Sequence, residues 1–389
     1  MGWMADVVAG DQAAGFFNTI EKSNAELAIG VTHNDAVPPR LHRATFNGDA
    51  REYFGIWIVN TLLTIVTLGI YAPWAKVRRI RYFSANTVLI DRSFDYHATG
   101  GQLLKGWLLV GVYIIGYDLL SSFYPIASLV VALVLTVVLP WIVNNAFRFK
   151  ARVTSYSNIR FQFQGRLSRA YLSILLGGLL GLFTLGLLAP VASLWYQRYI
   201  FNGIRYGDRS FKTECRLWPL YKALFFPAVI MIVGVTPAFM VVGYIMSREL
   251  SVMPNFYEYG EWWRAVIHAL VKYVAIIPTL LAYYFMLIIY RTGVRNASWS
   301  ATLYDGKHRL VSDVPRLKYA WILLSNTIAT IATLGLLRPW AAVRERKFVA
   351  MHTGLWVLGD LEEVRGQVNA SESAFSSEFL DSDGFDLGF

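Results

Sequence analysis

Long uncharged runs constrain this chain more than any other feature. Seven segments are apolar over lengths comparable with a bilayer core, which about 20 helical residues cross: 53–75, 104–122, 125–147, 170–197, 223–247, 265–290 and 319–337. Backbone facing lipid must satisfy its own hydrogen bonds, so each is expected to be helical. Charged residues are only 16% of the 389 and hydrophobic residues 55%, whereas a soluble domain carries about 25% charged residues. These figures point away from a soluble enzyme and rule out a disordered chain, a collagen-like chain and a disulfide scaffold, and one cysteine, Cys215, permits no intrachain disulfide. The start has no Lys/Arg-led apolar leader with a small-residue cleavage site, so no cleavable signal peptide is expected.

Three of the runs share a sequence. Asn60-Thr61-Leu62-Leu63-Thr64-Ile65-Val66-Thr67-Leu68-Gly69, followed by Ala72-Pro73-Trp74-Ala75, is matched by Asn326-Thr327-Ile328-Ala329-Thr330-Ile331-Ala332-Thr333-Leu334-Gly335 and Arg338-Pro339-Trp340-Ala341. A shorter copy, Thr184-Leu185-Gly186-Leu187-Leu188-Ala189-Pro190, lies between them. Outside the runs, Asp91-Arg92-Ser93-Phe94 matches Asp208-Arg209-Ser210-Phe211, and Phe46-Asn47-Gly48 matches Phe163-Gln164-Gly165. Such self-similarity reads as a threefold internal repeat. Each unit opens with a short alternating segment ending in glycine (44–48, 160–165 and, more loosely, 299–306). Period-two alternation reads as strand. An apolar helix punctuated by T-L-G-x-x-x-P follows, then a basic helix. A second strand-like piece, 93–98 or 210–213, closes the first two units.

These motifs resemble the YjgN-like family of bacterial inner-membrane proteins, a domain of unknown function. The resemblance spans roughly residues 43–350 and is clearest in the first copy. It implies a multi-pass protein of the bacterial inner membrane and carries over no catalytic residue. The middle copy departs from the pattern, with Gly177 in place of Asn60 and Val191 in place of Trp74.

Of the 36 Lys and Arg, all but Arg248, Arg264 and Lys272 lie in the first residues, around the repeats or toward the end of the chain. The positive-inside rule puts those regions on the cytoplasmic side. Crossing by all seven runs would split the basic residues evenly, so the charge favours four full crossings plus three re-entrant or deeply interfacial repeat segments, turning at Gly69, Gly186 and Gly335. The opposing consideration is that each repeat run is long enough to cross.

Candidate chemistry is sparse. Asn60, Thr64 and Thr67 share one helix face, as do Asn326, Thr330 and Thr333. They read as a polar stripe around a pathway or, more plainly, as helix-packing residues. His268 and Lys272 lie on one face of an apolar run, with Asp118 as a conceivable countercharge. Intramembrane charge is a functional candidate by default, against which stand snorkelling of Lys272 and a loop-end role for Asp118. Lys76, Arg78, Arg79, Arg81, Arg198, Arg344, Arg346 and Lys347 form basic segments near Trp74, Trp195 and Trp340, which suit anionic headgroups. The net charge of +10 points the same way. No metal, nucleotide or nucleophile motif is present, so no enzyme activity, cofactor or nucleic-acid partner is expected.

The fold expected is therefore mainly α: a polytopic membrane helical protein with three internal repeats and short cytoplasmic β-strand pairs. Its parts are a polar arm (1–42), repeat 1 (43–100), a transmembrane hairpin (101–150), repeat 2 (151–216), a second hairpin (217–292), repeat 3 (293–365) and a disordered acidic tail (366–389). The leading function is passage of a small or amphipathic solute through a repeat-lined centre, and the alternative is a non-catalytic membrane scaffold that organises lipid. A wet cavity along the Asn/Thr stripes would favour the first.

Overall fold

A computed structural model of the chain describes residues 39–252 and 260–358. The polar arm (apart from its last residues) and the acidic tail lie outside the described residues. Over 260–275 only the backbone is described, so the side chains of His268 and Lys272 lie outside the description.

Among the described residues, four helices are long and apolar enough to cross a membrane. They form two hairpins: α3 (Gly100–Phe123) with α4 (Pro125–Arg152), and α7 (Leu217–Val252) with α8 (Gly260–Ser300). The other three apolar runs each break at T-L-G into two packed helices. These are α1 (Ala50–Val66) with α2 (Ala72–Ala85), α5 (Leu167–Phe183) with α6 (Ala189–Gly203), and α9 (Arg316–Ala332) with α10 (Arg338–Met351). The stretch Tyr171–Leu176 inside α5 is π-helical. Each first leg has 17 residues, about 25 Å at 1.5 Å per residue.

The strands correct the expectation of separate pairs. They form one antiparallel sheet in the order β1-β11-β10-β9-β8-β7-β6-β5-β4-β3-β2. Here β1 is Arg40–Arg43, β2 Thr45–Phe46, β3 Thr87–Leu89, β4 Arg92–Tyr96, β5 Thr154–Tyr156 and β6 Ile159–Phe163. β7 is Ile204–Tyr206, β8 Arg209–Thr213, β9 Thr302–Tyr304, β10 His308–Ser312 and β11 Thr353–Val357. The two ends of that order, β1 and β2, are separated only by Ala44, whose N–H donates to the Thr353 carbonyl at 2.8 Å. β1 and β2 therefore behave as one strand, paired with β11 along its first part and with β3 along its second, and the sheet closes into a near-barrel. Closure removes the exposed edges that leave a sheet liable to aggregate. The third unit also differs from expectation. Trp299 is helical, and the strand leading into its helices is His308–Ser312, not 299–306.

Apart from the β1–β11 seam, every neighbouring pair of strands is consecutive in the chain, and the connections alternate. Tight turns join β3 to β4, β5 to β6, β7 to β8 and β9 to β10; helical hairpins make the other five links. The tight turns use positive φ at Ile90 and Asp91, Ser157 and Asn158, Gly207, and Asp305 and Gly306, which matches the twist of the flanking strands. In an up-and-down meander, alternate connections lie at opposite ends. All five helical hairpins therefore leave from, and return to, one end of the ring.

The same hydrogen bond recurs at each of the five departures. The backbone N–H of Asn47, His97, Gln164, Glu214 and Asp313 donates to the carbonyl of Asn86, Val153, Gly203, Ala301 and His352, at 2.7–3.1 Å. The residue that follows each donor (Gly48, Ala98, Gly165, Cys215, Val314) is buried. Glycine is needed at the first and third: a Cβ on Gly48 would fall 2.6 Å from the Phe46 ring, and one on Gly165 would fall 2.5 Å from the Phe163 ring. Each hairpin packs on the next around the ring, and α10 packs on α1 to complete the circle.

Candidate functional site

The helical end of the ring gathers most of the residues singled out from sequence, and the three short hairpins repeat one tip. At each, a leucine takes a left-handed backbone and a glycine follows with positive φ: Leu68 (48°) and Gly69 (91°), Leu185 (48°) and Gly186 (86°), Leu334 (50°) and Gly335 (94°). A left-handed conformation costs a non-glycine residue about 1–2 kcal/mol, so something must hold it. A threonine does. The hydroxyls of Thr67, Thr184 and Thr333 donate to the carbonyls of Leu63, Leu180 and Ala329 at 2.6–2.7 Å. They also accept from the backbone N–H of Tyr71, Leu188 and Leu337 at 3.0–3.1 Å. The threonine thereby bridges the last turn of one helix to the start of the next. Pro73, Pro190 and Pro339 then open the return helices, where a missing N–H is tolerated.

The first two tips are apolar points, and the third adds an exposed Arg338 where its return helix begins. Leu68, Leu185 and Leu334 are 94%, 98% and 96% exposed. Val66, Ile70, Phe183, Leu187, Ile331 and Leu336 beside them are exposed too.

The polar stripe is consumed within the hairpins. Asn60 and Asn326 are each only 6% exposed. The Oδ1 of Asn60 accepts from Arg78 at 3.3 Å, and that of Asn326 accepts from Arg344 at 3.0 Å. The amide of Asn326 also donates to the Ala341 carbonyl at 3.1 Å. Arg344 lies 5.1 Å over the Trp340 ring and donates to Ser325. Thr64 and Thr330 donate back to the carbonyls of Asn60 and Asn326. In the middle hairpin both partners are gone together: Gly177 replaces the asparagine and Trp195 stands at the position of the arginine. A Cβ on Gly177 would come 3.2 Å from the Cβ of Ala192, the counterpart of Ala341. Close packing does there what the Asn–Arg bond does in the other two.

The basic residues divide into two groups. Arg81 donates to the carbonyls of Tyr96 and Ala98, and Arg198 to that of Cys215, the counterpart of Ala98. With Arg78 and Arg344, these tie the hairpins together and to the ring. Lys76, Arg79, Arg346 and Lys347 are exposed on the return helices. Asp118 is exposed close to the α3–α4 connection, at the far end from the ring.

Sequence reasoning missed the residues that line the sheet. One face carries Phe94, Tyr156, Phe161, Tyr206, Phe211 and Tyr304; Tyr156, Tyr206 and Tyr304 follow one another at 6.0 Å between ring centroids, and each has a phenylalanine ring 4.8–5.0 Å away. Tyr156 and Tyr206 each precede a tight turn and reach back to the preceding hairpin, donating to the carbonyls of Leu89 and Tyr156. Tyr304 holds the same position, but its buried hydroxyl makes no hydrogen bond among the described residues, and burial pushes its pKa up to about 12. Burial lowers the pKa of His308, which stacks on Tyr304 at 5.9 Å. The shared signal was a tyrosine immediately before three of the four tight turns. At the seam, Arg43 forms a two-point ion pair with Asp313 at 2.6 and 2.8 Å. Burial alone would raise the Asp313 pKa, and Arg43 outweighs it and lowers it. Among the described residues, no cluster of three His, Cys, Asp or Glu could hold a metal.

The model of a family described as a bacterial protein of unknown function, DUF898, matches residues 41–382. The chain belongs to this family. It is 28% identical to "Inner membrane protein YjgN" of Salmonella typhimurium over 368 residues, covering 83% of this chain and 90% of that protein. Proteins of the same name from Escherichia coli O157:H7 and K12 are 25% and 24% identical over 367 residues, with the same coverage. No solved structure matches. The family match takes in all five helical hairpins and every strand but the first residue of β1.

Proposed function

We propose that this chain is a non-catalytic protein of the bacterial inner membrane that organises the lipid of the cytoplasmic leaflet. The two long hairpins cross the bilayer. The three short hairpins enter it from the ring side, stop near the midplane and return. The observation that carries this reading is the trio of leucine tips, almost fully exposed at the end of hairpins that share one origin with the long ones. A leg of about 25 Å is too short to cross a ~30 Å core together with its headgroups, yet long enough to reach its centre. Each leucine moved from water into acyl chains gains roughly 1.5–3 kcal/mol. Lys76, Arg79, Arg346 and Lys347 then fall at headgroup depth or snorkel to it, where anionic lipid is the natural partner. The matching sequences of the three short hairpins fit copies of one wedge.

Solute passage, the leading expectation from sequence, loses its lining. The side chains that were to wet a pathway, Asn60, Thr64, Asn326 and Thr330, spend their hydrogen bonds inside the hairpins.

The test is depth. Fluorophores placed singly at Leu68, Leu185 and Leu334 in reconstituted full-length protein should be quenched by lipids brominated along the acyl chain and spared by aqueous iodide. Quenching by iodide at all three would refute insertion. A solute leak that is abolished by Asn326→Leu would restore the passage reading.

A further inference from the structure

The polar face of the ring, opposite the aromatics, carries a separate signal. Arg160, Arg205, Lys212 and Arg309 are exposed there, and none forms an ion pair or hydrogen bond among the described residues. The strand register sets them in one band. Gln162, two residues from Arg160, pairs with Arg205; Arg205 pairs with Ser210, two residues from Lys212; Lys212 and Arg309 both pair with Leu303. The band crosses from β6 to β10, about 20 Å at the usual strand spacing. Within the strands, the carboxylate on that face is Asp95, on β4.

The countercharge is in the chain itself. Residues 360–386 include Asp360, Glu362, Glu363, Glu372, Glu378, Asp381, Asp383 and Asp386, against a single Arg365. This segment follows β11, and Trp356 of β11 pairs directly with Arg309, at one end of the band. The stretch from Leu358 to Glu372 can extend roughly 45 Å, twice the width of the band. A tether this short holds the segment at about millimolar effective concentration.

We propose that the acidic segment 372–386 docks on the Arg160–Arg205–Lys212–Arg309 band of its own chain. Docking masks a surface that would otherwise draw anionic partners to the ring. The contact is electrostatic and lies on an exposed face, so salt weakens it: screening shortens from about 10 Å at 0.1 M to about 3 Å at 1 M.

The experiment uses the full chain in detergent with Cys215→Ser and spin labels at Ser210→Cys and Ser382→Cys. Pulsed dipolar spectroscopy should give a narrow distribution centred within about 25 Å at low salt, broadening and moving outward near 1 M salt. Replacing Glu372, Glu378, Asp381, Asp383 and Asp386 by their amides should produce the high-salt distribution at low salt. Turning the four band cations into glutamates should do the same, and adding lysines at the five acidic positions should then restore the short distance. The five-amide variant alters nothing in the ring and keeps the test valid if the four-glutamate variant does not fold. A broad distribution at both salts overturns the proposal and leaves the band to a lipid or protein partner. A short distance that survives the five-amide change also overturns it, because charge would not be what holds the segment.

Discussion

Thr67, Thr184 and Thr333 decide whether the short hairpins keep their shape. Each pins a left-handed leucine by serving as donor and acceptor at once. Thr333→Val keeps the volume and removes both bonds, leaving the Leu337 N–H without its partner. A loss of about 1–2 kcal/mol in detergent unfolding is expected, with tip quenching by brominated lipid reduced. An unchanged melting curve would mean the turn holds without the hydroxyl. Asn326→Leu deprives Arg344 of an acceptor and should cost about 1–3 kcal/mol. Adding Arg344→Met should recover part of that, because the guanidinium, left with Ser325 as its one acceptor among the described residues, goes too. His308 gives a pH prediction. Its pKa is below the ordinary value in the folded chain, so the unfolded chain binds the proton more readily. Stability should therefore be full above the unfolded value near 6.5 and should fall as pH drops below it. His308→Gln should flatten that part of the profile; an identical acid slope in the variant would assign the effect elsewhere.

At the scale of elements, the helices were far more legible than the strands. Uncharged runs mark helix positions directly, so the residues of α3 and α4 follow from sequence within a few positions. The T-L-G turn was readable because Gly69 and Gly335 interrupt otherwise matching apolar runs. The polar stripe was visible as a face, but its partners were not, since Arg78 and Arg344 become neighbours of the asparagines only once the helices fold back. The strands are two to five residues long, too short for alternation to be distinctive. That is why the third unit was begun at 299–306: Trp299 continues a helix, and the strand that matters follows the Asp305-Gly306 turn. The fivefold order was hidden for a related reason. Among the helical hairpins similar sequence is confined to three, while the equivalence of all five lies in backbone hydrogen bonds such as His97 to Val153 and Glu214 to Ala301, which leave no side-chain signature. Gly69→Ala follows from the element's geometry. At φ of 91° an alanine is strained, and a loss of at least about 1 kcal/mol is expected, measurable as a lower unfolding midpoint.

The whole molecule depends on closure. Its seam is the β1–β11 ladder, backed by the Arg43–Asp313 ion pair. Those side chains are 35% and 43% exposed, so solvent screens them and Asp313→Asn should cost no more than about 1 kcal/mol. Gly354 matters more: a Cβ there would sit 2.6 Å from the His42 carbonyl oxygen, a backbone atom with little room to yield. Gly354→Val should open the seam and cost roughly 2 kcal/mol or more, seen as a lower melting temperature and new proteolysis near Arg40. On the proposed reading closure also sets the membrane arrangement: a ring whose helical hairpins all leave from one end and whose short hairpins turn back within the bilayer lies wholly on one side of it. The most direct measurement replaces Cys215 by serine and places single cysteines at Asn47, Arg92, Arg209 and Lys307 for labelling of intact cells with an impermeant thiol reagent. All four should stay unlabelled until the membrane is permeabilised. Labelling of Asn47, Arg209 and Lys307 with Arg92 protected would instead mean that the short hairpins cross the membrane, and a one-sided ring could not exist.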